Sequence, residues 1–113
     1  MQIRKGTADD LSLIRDLTKR ATDSTYFIEG MGDSAAKTVA AYVAKSTDVF
    51  QHALGSDNHS VYVATADEHL LGYVIAIHES PEIDWIMVDP ASHGSGAGKA
   101  LMIAALDALA EHG

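Results

Sequence analysis

The spacing of apolar residues in the first half of the chain predicts a short strand followed by two helices. Residues 2–4 form the predicted strand. Thr7, with Asp10 three residues later, is a helix-start signal, and apolar side chains then recur at helical spacing. Residues 34–54 carry a second apolar stripe, although a Ser-Thr-Asp run inside it leaves open a division into two helices. Residues 26–32, with two glycines and two aromatic residues, are predicted to be a loop.

The second half of the chain predicts three strands and a final helix. Residues 60–66 and 70–78 are rich in β-branched and aromatic side chains, and the polar residues between them predict a hairpin turn. A proline precedes a third strand at residues 83–88. The last apolar stripe covers residues 98–111, where small alanines would let a helix lie close to a sheet. The predicted order is β-α-α-β-β-β-α, an α/β layer in one domain of residues 1–113.

Three alternating glycines, Gly94, Gly96 and Gly98, lie between the last predicted strand and the last predicted helix. Glycine has no Cβ, so a loop can turn tightly there and successive N–H groups can point at one anion. The helix that follows adds the positive end of its dipole. A single glycine would also suit a helix cap or a flexible loop. Three at this spacing favour a diphosphate-binding site.

Two other phosphate-binding motifs fit this segment poorly. A Walker A loop needs glycine where this chain has His93, and a serine or threonine where it has Ala100. A dinucleotide-binding fingerprint needs a third glycine, but the two possible positions hold Lys99 and Leu101. Neither residue lets a helix pack against a strand as closely as glycine does.

The segment from Val88 to Leu101 resembles the acyl-CoA signature of the GNAT superfamily of N-acyltransferases. The usual signature is Arg or Gln, two residues, Gly, any residue, then Gly or Ala. His93 departs from it at the first position, which weakens one contact and leaves the backbone cradle intact. Residues 3–11 also resemble the first strand and helix start of this family.

The resemblance implies a GNAT-like mixed sheet that is truncated after the signature helix. The family normally continues with a further strand, a helix and two more strands, and a tyrosine in that region often protonates the leaving thiolate. Because this sequence ends at Gly113, the resemblance implies a single acyl-CoA-binding domain over residues 1–113 that is incomplete at its C-terminus.

The resemblance also implies an N-acetyltransferase that uses acetyl-CoA as cosubstrate and an amine as acceptor. The backbone of Ile86, Met87 and Val88 would pair with the pantetheine amides, and an N–H near Met87 would polarise the thioester carbonyl. The implied diphosphate cradle consists of His93, Gly94, Ser95, Gly96, Ala97, Gly98 and Lys99. The alternative is a non-catalytic acyl-CoA-binding or interaction module that keeps the cradle without the chemistry.

Glu82 and Asp84 are the candidate catalytic bases for such a reaction. By strand alternation both would share a face with Val88. Their apolar neighbours would partly desolvate a carboxylate, which raises its pKa towards a useful value. The alternative is that both are solvated acids at a strand edge. His78 is a weaker candidate for the same role.

Composition limits the partners and the location. The net charge of −8 argues against a nucleic-acid-binding protein and is compatible with cationic amine acceptors. The absence of cysteine excludes disulfides, and the histidine spacing predicts no metal site. No apolar run is long enough to span a bilayer, so no membrane partner is expected and a cytoplasmic protein is predicted. An unpaired strand 83–88 would present an apolar edge, and a homodimer through this edge is a further expectation.

Overall fold

The computed structural model describes residues 1–26, 32–67, 69–92 and 94–112. The elements are β1 (Gln2–Lys5), α1 (Leu11–Tyr26), α2 (Gly32–Leu54), β2 (His59–Ala66), β3 (His69–Ile77), β4 (Glu82–Val88) and α3 (Ala97–His112), with 3₁₀ turns at Ala8–Asp10 and Pro90–Ser92. The predicted element order is confirmed. Ser46 lies inside an unbroken α2, so this stretch is one helix. Of the predicted 26–32 loop, Tyr26 and Gly32 belong to helices and 27–31 lie outside the described residues.

The four strands form one sheet in the order β1-β2-β3-β4, and all three pairings are antiparallel. Helices α1 and α2 cover one face, and α3 covers the other. Among the described elements β4 has a single strand neighbour, β3, so β4 forms an edge of the sheet. The antiparallel pairs β2–β3 and β3–β4 need only short connecting turns. The helices need only an apolar stripe along one side, so both kinds of element can form from signals that are local in the sequence.

The core between the sheet and α1 and α2 contains the larger side chains. Phe50 and Tyr73 are fully buried and meet edge to face, with ring centroids 5.7 Å apart. Ile14 and Leu17 of α1 pack into the same cluster. Buried hydroxyls join the elements here: Tyr73 contacts Ser46, and Ser46 lies 2.8 Å from Thr18. Burial raises the pKa of the Tyr73 phenol.

The core between the sheet and α3 is built from small residues. Ala97, Leu101 and Ala105 of α3 are buried against Ala64, Val74 and Ala76 of the sheet. Gly72 makes this close packing possible, since a Cβ there would lie 2.6 Å from the Met87 carbonyl oxygen and 3.1 Å from Leu101. The predicted close approach of an alanine-rich last helix is therefore confirmed.

The N-terminal strand is tied to the start of α1 by a buried acid. Asp10 accepts hydrogen bonds from the Arg4 guanidinium at 2.8 and 2.9 Å and from the Thr7 N–H at 2.8 Å. The Arg4 guanidinium beside Asp10 holds the pKa of that carboxyl below its usual range, against the opposite effect of burial. The Thr7 and Asp10 spacing thus marks a helix start, as the sequence predicts.

Candidate functional site

The glycine-rich segment, residues 94–98, follows the 3₁₀ turn after β4 and runs into the first turn of α3. Gly94 and Gly96 have φ angles of +89° and +87°. This left-handed region is strained for residues with a side chain, so both positions require glycine. Gly98 is already helical, and a Cβ there would make an ordinary contact 3.5 Å from the Val88 side chain. Only two of the three predicted glycines are therefore needed for backbone conformation.

The glycine-rich segment borders an open cavity of about 460 Å³. Its lining consists of Val88, Ser92, Gly94, Gly96, Ala97, Gly98 and Lys99. Six of these seven were predicted from the sequence to bind the cofactor. Ser92 is the lining residue that was not predicted from the sequence. It was missed because it precedes the glycines and belongs to the 3₁₀ turn.

Hydrogen bonds fix the backbone at the start of α3, beside this cavity. Ser95 donates its N–H to the Ser92 carbonyl at 3.0 Å, and its hydroxyl accepts the Ala97 N–H at 3.3 Å. The Ala100 N–H donates to the Gly96 carbonyl at 3.0 Å. Gly98 and Lys99 precede Ala100, so their amides belong to the first turn, which has no intrahelical acceptors. Together with the helix dipole, this arrangement suits an anion.

Of the predicted cofactor residues that do not line this cavity, Ile86 and Met87 lie on β4, Ser95 lies in the glycine-rich segment, and His93 lies outside the described residues. Ile86, Met87 and Val88 pair with Val74, Tyr73 and Gly72 of β3. Ile86 is 39% exposed, while Met87 and Val88 are half-buried. In an antiparallel edge strand, alternate N–H and C=O groups point away from the neighbouring strand. Backbone groups of β4 are therefore oriented towards the open side of the sheet.

A β-bulge at Asp84 changes the geometry of the predicted base candidates. Trp85 pairs with Ile75 but Ile83 pairs with Ala76, so Asp84 has no partner of its own on β3. The bulge shifts the alternation, and Ile83 packs with Val88 against α3. Glu82, adjacent to Ile83, therefore lies on the opposite face. The prediction that Glu82 shares a face with Val88 is wrong.

The expected desolvation of the two carboxylates is also wrong. Glu82 and Asp84 are both exposed, and the Ser80 hydroxyl donates to Glu82 Oε1 at 3.3 Å. The bulge and the edge position of β4 place these side chains in water, although their sequence neighbours are apolar. His78, the weaker candidate, is half-buried, and its Nε2 lies 2.6 Å from the Ser60 hydroxyl.

An ion pair next to the glycine-rich segment has no sequence signal. Arg20 of α1 contacts Asp89, which follows β4, with Nη2 and Oδ2 2.9 Å apart. The two residues are 69 positions apart in the chain. Such a pair depends on how α1 packs on the sheet, which a motif cannot show.

Within the described ranges, no group of three or more His, Cys, Asp or Glu side chains could hold a metal ion. No helix among these residues combines the length and apolarity that a bilayer span requires.

The profile described as the acetyltransferase (GNAT) family matches residues 16–113. A comparison with curated proteins found no significant match.

Two solved structures illustrate the likeness in fold. The PaiA N-acetyltransferase from Thermoplasma acidophilum, in complex with coenzyme A, has 16% identity and a TM-score of 0.71, over 97% of this chain and 72% of that chain. An aminoglycoside antibiotic 6′-N-acetyltransferase from Acinetobacter haemolyticus has 18% identity and a TM-score of 0.64, over 98% of this chain and 72% of that chain. At these identities the likeness shows a common fold.

Proposed function

The chain belongs to the acetyltransferase (GNAT) family, and on this premise we propose that it transfers an acetyl group from acetyl-CoA to an amine. The observation that carries the proposal is the glycine-rich segment at the N-terminus of α3. Gly94 and Gly96 adopt left-handed conformations beside an open cavity, where backbone amides can meet an anion.

The proposed cofactor site has two parts. The cradle of residues 93–99 would hold the diphosphate, with Lys99 exposed beside the cavity as an added positive charge. The backbone of Ile86, Met87 and Val88 would pair with the pantetheine amides along the open edge of β4. Edge strands commonly bind extended ligands in this way, because their outward N–H and C=O groups are unpaired.

The proposed reaction needs positioning, polarisation and one proton acceptor. Acetyl-CoA supplies an activated thioester when bound. The amine nitrogen forms the new bond to the carbonyl carbon as the C–S bond breaks, the amine gives up one proton, and CoA leaves as the thiol with one proton gained. An N–H near Met87 would stabilise the developing oxyanion. Asp84, at the bulge, is the proposed base, with Glu82 as second candidate.

The proposed acceptor is a small-molecule or protein amine in the cytoplasm. One of the solved structures that share the fold is an aminoglycoside antibiotic N-acetyltransferase, which supports an amine acceptor in general terms. The net charge of −8 also favours approach of a cationic acceptor.

The exposure of both candidate bases favours a second function, a non-catalytic acyl-CoA-binding or interaction module. Such a module would keep the cradle and lack an effective proton acceptor. A thioester turnover assay with a panel of amines separates the two functions, since only the acetyltransferase releases free CoA in an amine-dependent manner.

Thermal unfolding with and without CoA tests the cradle directly. We expect CoA at 100 times its Kd to stabilise the native protein by about 2.7 kcal/mol. Gly96→Val should abolish the increase in melting temperature, because its φ of +87° is strained for valine and the side chain would project at the cradle.

Gly55→Ala is the matched control, since its added Cβ would lie 3.8 Å from the His52 carbonyl oxygen, an ordinary contact.

 Gly55 does not line the cavity and has no positive φ, so this variant should keep the full response to CoA. An equal response to CoA in Gly96→Val would contradict the cradle.

A further inference from the structure

Every polar group of Asp89 is bonded at the junction between β4 and the 3₁₀ turn that precedes the glycine-rich segment. Its N–H donates to the Leu71 carbonyl at 2.7 Å, and its own carbonyl accepts the Ser92 N–H at 2.8 Å. Its Oδ1 accepts the Ala91 N–H at 3.0 Å, which closes an Asx turn. The start of the loop is therefore held by the backbone and the side chain of one residue.

The same hydrogen-bond pattern continues to the first turn of α3. The Ser92 carbonyl, held by Asp89 through the turn, accepts the Ser95 N–H, and the Ser95 hydroxyl accepts the Ala97 N–H. A change in the orientation of Asp89 would therefore be passed to the amides beside the cavity.

Arg20 holds Asp89 from the other side. Its Nε and Nη2 lie 3.1 and 2.9 Å from Asp89 Oδ2, while Oδ1 keeps its bond to Ala91. The Asp89 side chain is 13% exposed and that of Arg20 is 50% exposed. The two residues line a cavity of about 560 Å³ that shares Ser92 with the cradle cavity, so the ion pair lies directly behind the loop.

The charge of Asp89 matters for any anion bound in the cradle. A carboxylate that is largely shielded from water repels a nearby diphosphate, because screening by solvent is weak there. The Arg20 guanidinium offsets this charge and fixes the carboxylate as an acceptor for the turn.

We propose that Arg20 is a positioning residue for coenzyme A, acting through Asp89 to hold the glycine-rich segment and to neutralise the charge behind it. The proposal rests on the proposed acetyl-CoA-binding function. Arg20 itself would not touch the cofactor.

The test compares CoA affinity, by calorimetric titration, in wild type and in Arg20→Ala, Arg20→Lys and Asp89→Asn. Because the pair is partly exposed, we expect Arg20→Ala to weaken CoA binding about two- to five-fold. Arg20→Lys should recover part of this loss. Asp89→Asn keeps the Oδ1 acceptor without the charge. Arg20→Ala should therefore reduce CoA affinity less in the Asp89→Asn variant than in wild type.

Two controls separate positioning from a general loss of charge or structure. Arg15→Ala removes one positive charge from an exposed site on the same helix, about 140° away around its axis, and should bind CoA as wild type does. Pantetheine, which has no phosphate, should bind Arg20→Ala and wild type equally in an NMR titration.

The proposal is overturned by unchanged CoA affinity in Arg20→Ala, by an equal loss of pantetheine affinity, or by an equal loss in Arg15→Ala. Each of these results leaves the proposed function intact as long as the wild-type protein binds CoA. Absence of CoA binding by wild type overturns both.

Discussion

Asp84 is the residue at which the backbone of β4 departs from regular pairing. It has no partner of its own on β3, and its carboxylate is exposed. Bulges often occur beside active sites, where the extra unpaired residue redirects a side chain. Glu82 lies two positions away, in regular pairing with Ile77. The bulge therefore favours Asp84 over Glu82 as the proposed base.

We expect Asp84→Asn to reduce kcat strongly while leaving the Kd for CoA within about two-fold, since a proton acceptor contributes about 10²–10⁴ to rate and nothing to diphosphate binding. The acidic limb of the rate against pH should also change. Steady-state kinetics over a pH series and calorimetric titration with CoA measure the two effects.

Glu82→Gln is the matched carboxylate control for this prediction. It should keep most of the turnover if Asp84 is the base. Unchanged pH profiles in both variants would exclude both carboxylates and direct attention to His78 or a bound water.

At the scale of elements, a chain of buried hydroxyls joins α1, α2 and β3. Thr18 donates to the Ile14 carbonyl at 2.8 Å, so Ser46 must donate to Thr18, and Tyr73 then donates to Ser46. Thr18 and Ser46 are fully buried. Both helices are thus hydrogen-bonded in series to the centre of the sheet.

The direction of these bonds predicts unequal costs for two substitutions. Tyr73→Phe removes the last donor and leaves Ser46 bonded to Thr18, so we expect a loss of about 1 kcal/mol in the free energy of unfolding. Ser46→Ala removes both of its hydrogen bonds, to Thr18 and to Tyr73, from a buried cluster, and we expect a larger loss, at the upper end of about 1–3 kcal/mol.

Urea denaturation of both variants measures this difference, provided that the m-values stay equal. A Tyr73→Phe variant that is less stable than Ser46→Ala would contradict the inferred order of donors.

At the scale of the whole molecule, β4 forms an open edge of the described part of the sheet. Ile86 on this strand is 39% exposed, and Ile103 and Leu106 on α3 are 50% and 53% exposed. An edge strand with unpaired backbone groups is a template for pairing with a second chain. We therefore expect this chain to form a homodimer through β4 or to be poorly soluble.

Light scattering over a dilution series measures the association. The apparent mass should rise towards that of a dimer with concentration, and Ile86→Lys should reduce it, because a charged side chain on an edge strand disfavours pairing. Arg15→Ala, at an exposed position of α1, serves as a surface control. A stable monomer at every concentration would contradict the expectation.

The sequence by itself determined the elements and the cradle, because both depend on local interactions. Apolar spacing predicts each strand and helix to within a few residues, and Thr7 with Asp10 marks a helix start that the structure contains. The role of Gly94 and Gly96 was predictable because a tight turn needs a positive φ, and glycine adopts this local conformation without strain.

Only the tertiary structure decided the surroundings of the proposed chemistry. Regular alternation places Glu82 and Asp84 on the face of Val88, but the bulge arises from the register of β4 against β3, which the pattern within one strand does not encode. Their exposure depends on the edge position of β4. The contact between Arg20 and Asp89 requires α1 to pack beside the end of β4, so it exists only once distant segments have met.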